Sequence, residues 1–128
     1  MIKLELPIYY TFQRKTKKDT KILVGMNWYR NAHFRNSNQI KKFYHELIFL
    51  KMLKSQRIKG SYQVEYLLYP SNANCDLMNV VSVIDKFLND NIKFYKSMTA
   101  GVKEIDKYNP RIEIKIIEIG DGENSSIK

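Results

Sequence analysis

The sequence is poor in cysteine, proline, glycine and long apolar stretches. Its 128 residues include 3 Pro, 5 Gly and a single cysteine, Cys75. One thiol excludes an internal disulfide and a multi-cysteine zinc site, and it makes a reducing compartment the default expectation. No apolar run reaches the length of a membrane span and the first residues lack a signal-peptide core. We therefore expect a soluble protein in the cytoplasm, with no membrane partner.

Positive charge and a substantial apolar fraction are what the sequence does contain. The formal net charge is +9, from 22 Lys+Arg against 13 Asp+Glu. An excess of this size favours a polyanionic partner, although charge alone does not separate DNA, RNA and an acidic protein surface. The hydrophobic fraction of 44% is ample for one core. We therefore expect a single domain over residues 1–119 and a flexible polar tail over residues 120–128.

Hydrophobic periodicity predicts the order of helices and strands. Alternation of apolar and polar residues predicts the strands Ile2–Ile8, Lys21–Met26, Ser61–Tyr69 and Arg111–Ile116, and a further strand starting within Ile92–Lys96. Helical periodicity predicts one helix from Asn38, as its N-cap, to about Ser55, and a second after Asp76. The order β-β-α-β-α-β-β predicts an α/β (α+β) fold, in which two main helices pack on a small mixed β-sheet.

Basic residues are concentrated between the first two predicted strands. This arrangement predicts a hairpin with a positively charged tip, which either contacts a phosphate backbone or is a solvated turn. The segment Asn27–Asn36 is neither a clean strand nor a helix, and we interpret it as a loop. Two compatible interpretations are that Trp28 and Phe34 pin it to the core, and that it approaches DNA or an active site, with Arg30 as a phosphate clamp. The candidate nucleic-acid-binding residues are Arg14, Lys15, Lys17, Lys18, Asn27, Arg30, Arg35, Lys41 and Lys42.

The helix predicted after Asp76 has two different faces. Asp76 follows a loop and precedes an apolar-periodic segment, a pattern typical of a helix N-cap. The apolar face contains Val80, Val83, Ile84, Phe87 and Leu88, and the polar face contains Asn79, Ser82, Asp85, Lys86 and Asn89. The polar face is either a solvated surface or a source of carboxylate, amide and amine groups for chemistry.

Six segments, in this order, resemble one known family. They are Leu6-Pro7, Asn27-Trp28-Tyr29-Arg30-Asn31, Lys41-Lys42, Asp76-Leu77-Met78-Asn79, Asp85-Lys86-Phe87 and Asp106-Lys107-Tyr108-Asn109-Pro110-Arg111. Over nearly its whole length the chain resembles the RusA-type crossover-junction endodeoxyribonucleases, specifically their phage-borne relatives. The resemblance implies a RusA-like homodimer that binds four-way (Holliday) or branched DNA junctions in recombination and repair. It also implies Mg²⁺-dependent hydrolysis of phosphodiesters, with Mn²⁺ as an alternative ion, in a bacterial host cell if the chain is phage-encoded.

The resemblance also implies roles for individual residues. Asp76 matches the first metal-binding aspartate, Asn79 the asparagine that opens the helix, and Asp85 the aspartate further along it. Carboxylate oxygens suit Mg²⁺, which polarises the phosphoryl group and generates hydroxide. The implied catalytic residues are Asp76, Asn79, Asp85 and Lys86, and the implied metal ligands are Asp76, Asp85 and Asp90.

The chain departs from the family pattern around this helix. Met78 stands where the best-known members have a second aspartate, and Ser82 stands where they have a catalytic lysine, for which Lys86 is the candidate substitute. The loop that usually carries paired aspartates after the helix is missing, which leaves Asp90. In an unbroken helix Asp76 and Asp90 would lie about 21 Å apart, too far to share an ion. Either the helix ends early and the chain doubles back, or the metal site is incomplete.

Three hypotheses for function follow. The first is a Mg²⁺-dependent junction endonuclease. The second is a catalytically impaired descendant that binds branched or duplex DNA without cleaving it. The third is an interaction protein that uses the same scaffold to bind another protein, for example an acidic one.

Overall fold

The chain folds into a mixed α+β structure. A computed structural model describes residues 1–53, 61–90 and 97–119. The strands are β1 (Ile2–Pro7), β2 (Tyr9–Phe12), β3 (Thr20–Leu23), β4 (Ser61–Tyr69), β5 (Ser97–Val102) and β6 (Arg111–Ile119). The helices are α1 (Met26–Asn31), α2 (Phe34–Leu53) and α3 (Leu77–Asn89). The predicted class, a small mixed sheet with two main helices, is confirmed.

Four strands form the main sheet in the order β1-β6-β4-β5. β6 pairs antiparallel with both β1 and β4, whereas β5 pairs parallel with β4, and α3 lies in the connection between these two parallel strands. β4 has the predicted bounds, and β6 extends beyond the predicted end at Ile116. The predicted strand start within residues 92–96 lies outside the described residues, as does the predicted tail over residues 120–128.

The predicted hairpin is present, but its first strand was predicted wrongly. The basic connection joins β2 to β3, which form a separate two-stranded sheet, whereas β1 pairs with β6. The chain bends at Ile8, immediately after Pro7. Proline has no N–H to donate to a strand ladder, which is consistent with the end of β1 at this residue.

The segment predicted as a loop is mostly helical. α1 covers Met26–Asn31, and α2 begins at Phe34, so the prediction of Asn38 as an N-cap was also wrong. The N–H of Arg35 donates to His33 Nδ1 at 3.2 Å, and the N–H groups of Asn36 and Ser37 donate to the His33 carbonyl. His33, not Asn38, therefore takes the N-cap role for α2, although histidine is not a usual N-cap residue.

The hydrophobic core lies on one face of the main sheet. Alternate residues of β1, β4 and β6 are buried on that face, and α2 and α3 cover it with their apolar sides. The largest fully buried side chains include Tyr44, Tyr66 and Phe87, and the Tyr44 and Phe87 rings stack with centroids 5.3 Å apart. The hydroxyl of Tyr44 donates to the carbonyl of Pro7, which fixes α2 against the end of β1.

A charged cluster orders the other face near the start of β6. Arg111 lies 3.0 Å from Glu5, 2.8 Å from Asp106 and 3.3 Å from Glu113, and its guanidinium is 3.9 Å from the centre of the Tyr69 ring. The backbone N–H of Asp106 also donates to the carbonyl of Pro70. These contacts hold the β5–β6 connection, which bends at residues 107–109, against the sheet.

Candidate functional site

Asp76 is the N-cap of α3, as predicted. It is exposed, and its Oδ1 accepts hydrogen bonds from the backbone N–H groups of Met78 at 3.1 Å and Asn79 at 3.3 Å. Both bonds end on Oδ1, so Oδ2 is the oxygen best placed to bind a ligand. The neighbouring Cys75 is half-buried, and burial, followed by the charge of Asp76, raises the pKa of its thiol. A raised pKa makes the cysteine a weak candidate nucleophile.

Asn79 joins α3 to α1. Its Oδ1 accepts the backbone N–H of Asn27 at 2.8 Å, which is one of the donors that a helix leaves without an internal partner at its start. Gly25 precedes α1 and makes no side-chain cap bond. Asn79 therefore caps a helix that lies 52 residues away in the sequence, and this contact fixes the position of Asn27 and Arg30 relative to Asp76.

Asp85 is a residue of α3 whose side chain contacts β4. Its Oδ1 accepts the hydroxyl proton of Tyr66 at 2.7 Å, and its Oδ2 accepts from the amide of Asn89 at 3.3 Å. The side chain is half-buried, whereas the next residue, Lys86, is exposed in the last turn of α3. A cation at this end of a helix is favourable for the helix dipole. The hydrogen bonds of Asp85 attach α3 to the sheet.

Asp90 is the residue at the other end of α3. Its Oδ2 lies 2.8 Å from His45 Nε2 on α2. Burial, followed by the charge of Asp90, raises the pKa of Tyr29 in α1. The contact with His45 joins the C-terminal end of α3 to α2.

The three aspartates predicted to bind one ion are not brought together within one chain. α3 is unbroken from Leu77 to Asn89, so Asp76 and Asp90 lie about 21 Å apart at 1.5 Å per residue. The alternative in which the helix ends early is excluded. In the described ranges, no group of three or more His, Cys, Asp or Glu side chains is placed to hold a metal ion. These residues of a single chain therefore do not fit a Mg²⁺ site, which requires octahedral oxygen ligands.

The basic residues, in contrast, are brought together in one part of the chain. Residues 9–42 contain nine Lys+Arg and one acidic residue, Asp19, a net charge of +8 out of +9 for the whole chain. We call residues 9–42 the basic segment. Eight of its nine cations are exposed, and Lys41 is half-buried. All the predicted nucleic-acid-binding residues belong to it.

The basic segment is held together by aromatic contacts. The rings of Phe12 in β2 and Trp28 in α1 have centroids 5.8 Å apart, and those of Tyr10 and Phe43 are 5.1 Å apart. Gln39 of α2 donates to the hydroxyl of Tyr10 at 2.8 Å. Both α1 and the first half of α2 therefore pack against strand β2 of the hairpin.

Lys21 is a further basic residue of the segment, outside the predicted nucleic-acid-binding set. Its Nζ lies 4.8 Å from the centre of the Tyr9 ring, and the hydroxyl of Tyr9 is hydrogen-bonded to Ser71 Oγ at 2.7 Å. These contacts place Lys21 near the loop that leads to Asp76. A regional charge count would have found it, because residues 20–45 contain no acidic residue at all.

Comparison with known proteins finds no family model and no curated protein that matches the chain. Within the described residues, no helix combines the length and the apolar character that crossing a membrane requires.

Proposed function

We propose that the chain binds nucleic acid through the basic segment, with branched or duplex DNA as the ligand. The observation that carries the proposal is the segregation of charge, since a net +8 lies on residues 9–42 and only +1 on the remainder. The resemblance to RusA-type junction endonucleases supports DNA, and branched DNA in particular, as the ligand. The basic segment would contact the phosphate backbone without reading bases, as suits a protein that selects shape.

The energetics of such binding come mainly from counterion release. Each phosphate neutralised by a lysine or arginine releases condensed cations, so the logarithm of affinity falls with the logarithm of salt concentration by about 0.9 per contact on duplex DNA. A steep salt dependence is therefore the signature of the proposed interface. A flat dependence would instead indicate a protein partner.

The test compares two triple variants that have the same net charge. The first variant changes Lys15, Lys17 and Lys18 at the hairpin tip to glutamine. The second changes three exposed lysines elsewhere on the chain to glutamine, namely Lys3, Lys103 and Lys107. We expect the first variant to bind a four-way junction and a duplex more weakly, with a shallower salt slope, and the second to resemble the wild type. Equal effects of the two triples would show that only net charge matters and would contradict the proposal.

A second candidate function is Mg²⁺-dependent cleavage of branched DNA by a homodimer. It is favoured by Asp76, which matches the first metal-binding aspartate of the family. The Asp76 carboxylate is exposed, and its Oδ2 takes no part in the two capping hydrogen bonds. Because Asp76, Asp85 and Asp90 do not converge within one chain, further ligands would come from a second copy or from the DNA phosphates. Two-fold symmetry would then place two sites across a junction.

The cleavage test uses Asp76→Asn as its control. Asparagine retains the capping oxygen while it removes the negative charge, so the fold and the DNA affinity should persist. Incubation of a synthetic four-way junction with Mg²⁺ or Mn²⁺ should give paired nicks near the crossover with the wild type and none with the variant. Intact strands after prolonged incubation with a wild-type protein that binds the junction would eliminate cleavage and leave the binding proposal standing.

A further inference from the structure

Phe34 is a large apolar side chain exposed within the basic segment. It is the first residue of α2, and 63% of its surface is exposed. Arg30 and Arg35, both exposed, flank it in the sequence. Single exposed apolar residues are common and need no explanation by themselves. Phe34 differs because it lies within residues 20–45, a stretch that contains no acidic residue.

Phe34 lies in an ordered turn at the start of α2. The rings of His33 and Phe34 have centroids 4.7 Å apart and are inclined by 30°. His33 is itself fixed, since its Nδ1 accepts the N–H of Arg35 and its carbonyl accepts the N–H of Ser37 at 3.0 Å. The hydroxyl of Ser37 donates to the carbonyl of Phe34 at 3.1 Å. These bonds fix the backbone that carries the ring, so less conformational freedom is lost on binding than from a mobile loop.

An exposed aromatic ring among cations is suited to stacking on a nucleobase. Every base has a π-face, and protein surfaces that bind single strands combine a positively charged track with aromatic rings on which bases stack. Bases inside an intact duplex are already stacked on their neighbours, so a ring of this kind can reach only a base that is unpaired. Such bases occur in single strands, in gaps and at branch points.

We infer that Phe34 stacks on an unpaired base and gives the basic segment a preference for nucleic acid that contains one, with Arg30 and Arg35 contacting the adjacent phosphates. This inference rests on the proposed nucleic-acid binding and adds a specificity-determining residue to it. The preference comes from the ring, whereas the affinity common to all nucleic acids comes from the lysines and arginines.

The same helix offers a matched control. Phe49 is 57% exposed and lies on α2 about 22 Å from Phe34, outside the basic segment. We would compare wild type, Phe34→Ala, Phe34→Trp and Phe49→Ala for binding to an intact DNA duplex and to the same duplex with a gap containing one unpaired 2-aminopurine. A thermal melt of each variant checks that the fold is retained.

Phe34→Ala should weaken binding to the gapped duplex by about tenfold while binding to the intact duplex and the salt slope stay unchanged. Phe34→Trp should retain the preference, and Phe49→Ala should have no effect. The 2-aminopurine fluorescence should be quenched by the wild type and not by Phe34→Ala, because quenching reports stacking.

Two other results would separate the failure of this inference from that of the proposed function. Equal weakening of gapped and intact duplex by Phe34→Ala, or quenching that persists in that variant, would overturn the role of Phe34 and leave nucleic-acid binding intact. If the wild type bound neither of the two DNA duplexes nor the corresponding RNA, both this inference and the proposed function would be overturned.

Discussion

Gly25 and the side chain of Asn79 are in such close contact that a side chain at position 25 would displace Asn79. A Cβ atom added to Gly25 would lie 2.7 Å from Asn79 Cγ and 2.8 Å from its Oδ1. The same Oδ1 accepts the N–H of Asn27, so the missing side chain of the glycine gives Asn79 access to the start of α1. The geometry of α1, including the exposed Arg30, therefore depends on a residue of α3.

Gly25→Ala should lower the free energy of unfolding by about 1–3 kcal/mol, since an added methyl group would force the Asn79 side chain away. Asn79→Ala should cost about 1 kcal/mol, the usual loss for a helix cap. The double variant should cost less than the sum of the two, because the alanine at position 79 leaves room for the methyl group. Urea unfolding measures all three values.

Gly101→Ala is the control for that experiment. Within the described ranges, and apart from Gly101 and its two neighbours in sequence, no atom lies within 4 Å of a Cβ added at Gly101, so this change should be nearly neutral. Strict additivity of Gly25→Ala and Asn79→Ala would show that the two residues do not act through each other.

Substitutions of Asp76 should separate its charge from its capping role. Asp76→Ala should cost about 1 kcal/mol, because the N–H groups of Met78 and Asn79 lose their acceptor. Asp76→Asn should be close to neutral, because asparagine caps helices about as well as aspartate. Denaturant midpoints for the two variants test this difference. Equal destabilisation by both would mean that the negative charge, and not the capping oxygen, holds the start of α3.

Tyr44 should be sensitive to the loss of a single hydroxyl group. Its side chain is fully buried, burial raises its pKa, and its hydroxyl donates to the carbonyl of Pro7. Tyr44→Phe should lower stability by about 1–2 kcal/mol because a buried acceptor loses its donor. Tyr10→Phe is the matched control, since Tyr10 is only half-buried and water can replace its partner Gln39. A smaller loss for Tyr44→Phe than for Tyr10→Phe in urea unfolding would contradict this assignment.

Asp106 should make the stability of the protein depend on pH in the acid range. The backbone N–H of Asn109, followed by the Arg111 side chain and the N–H of Tyr108, lowers the pKa of this carboxyl group in the folded protein, against an opposing effect of desolvation. A group whose folded pKa is lowered contributes stability above its unfolded pKa of about 3.9 and loses that contribution as the pH falls through the folded value.

Asp106→Asn keeps an oxygen for the two backbone donors and removes the charge. Its melting temperature should be below that of the wild type at pH 6, and the difference should shrink as the pH falls below about 3.9. A difference that stays constant across this range would show that the charge of Asp106 does not contribute to stability.

Much of the fold could be predicted because its signals are local. The alternation over Ser61–Tyr69 gave the bounds of β4, and the aspartate before an apolar-periodic run gave the start of α3. α1 was not predicted because its cap comes from Asn79, which no pattern near Met26 indicates. The start of α2 was placed at Asn38 because asparagine is a common cap, whereas His33 takes that role in the folded chain.

Some features of the candidate site could likewise be predicted from the sequence, and others could not. The density of lysine and arginine in residues 9–42 is a property of the sequence, and so is a helix after Asp76, since both depend on residue types a few positions apart. The tertiary structure decided that α3 stays unbroken, that Asp85 bonds to Tyr66 and that Asp90 bonds to His45. It also decided that β1 pairs with β6, more than a hundred residues along the chain. Periodicity and capping act within a turn or two of the chain, whereas these partners are chosen by the packing of the whole core, in which distant residues become neighbours.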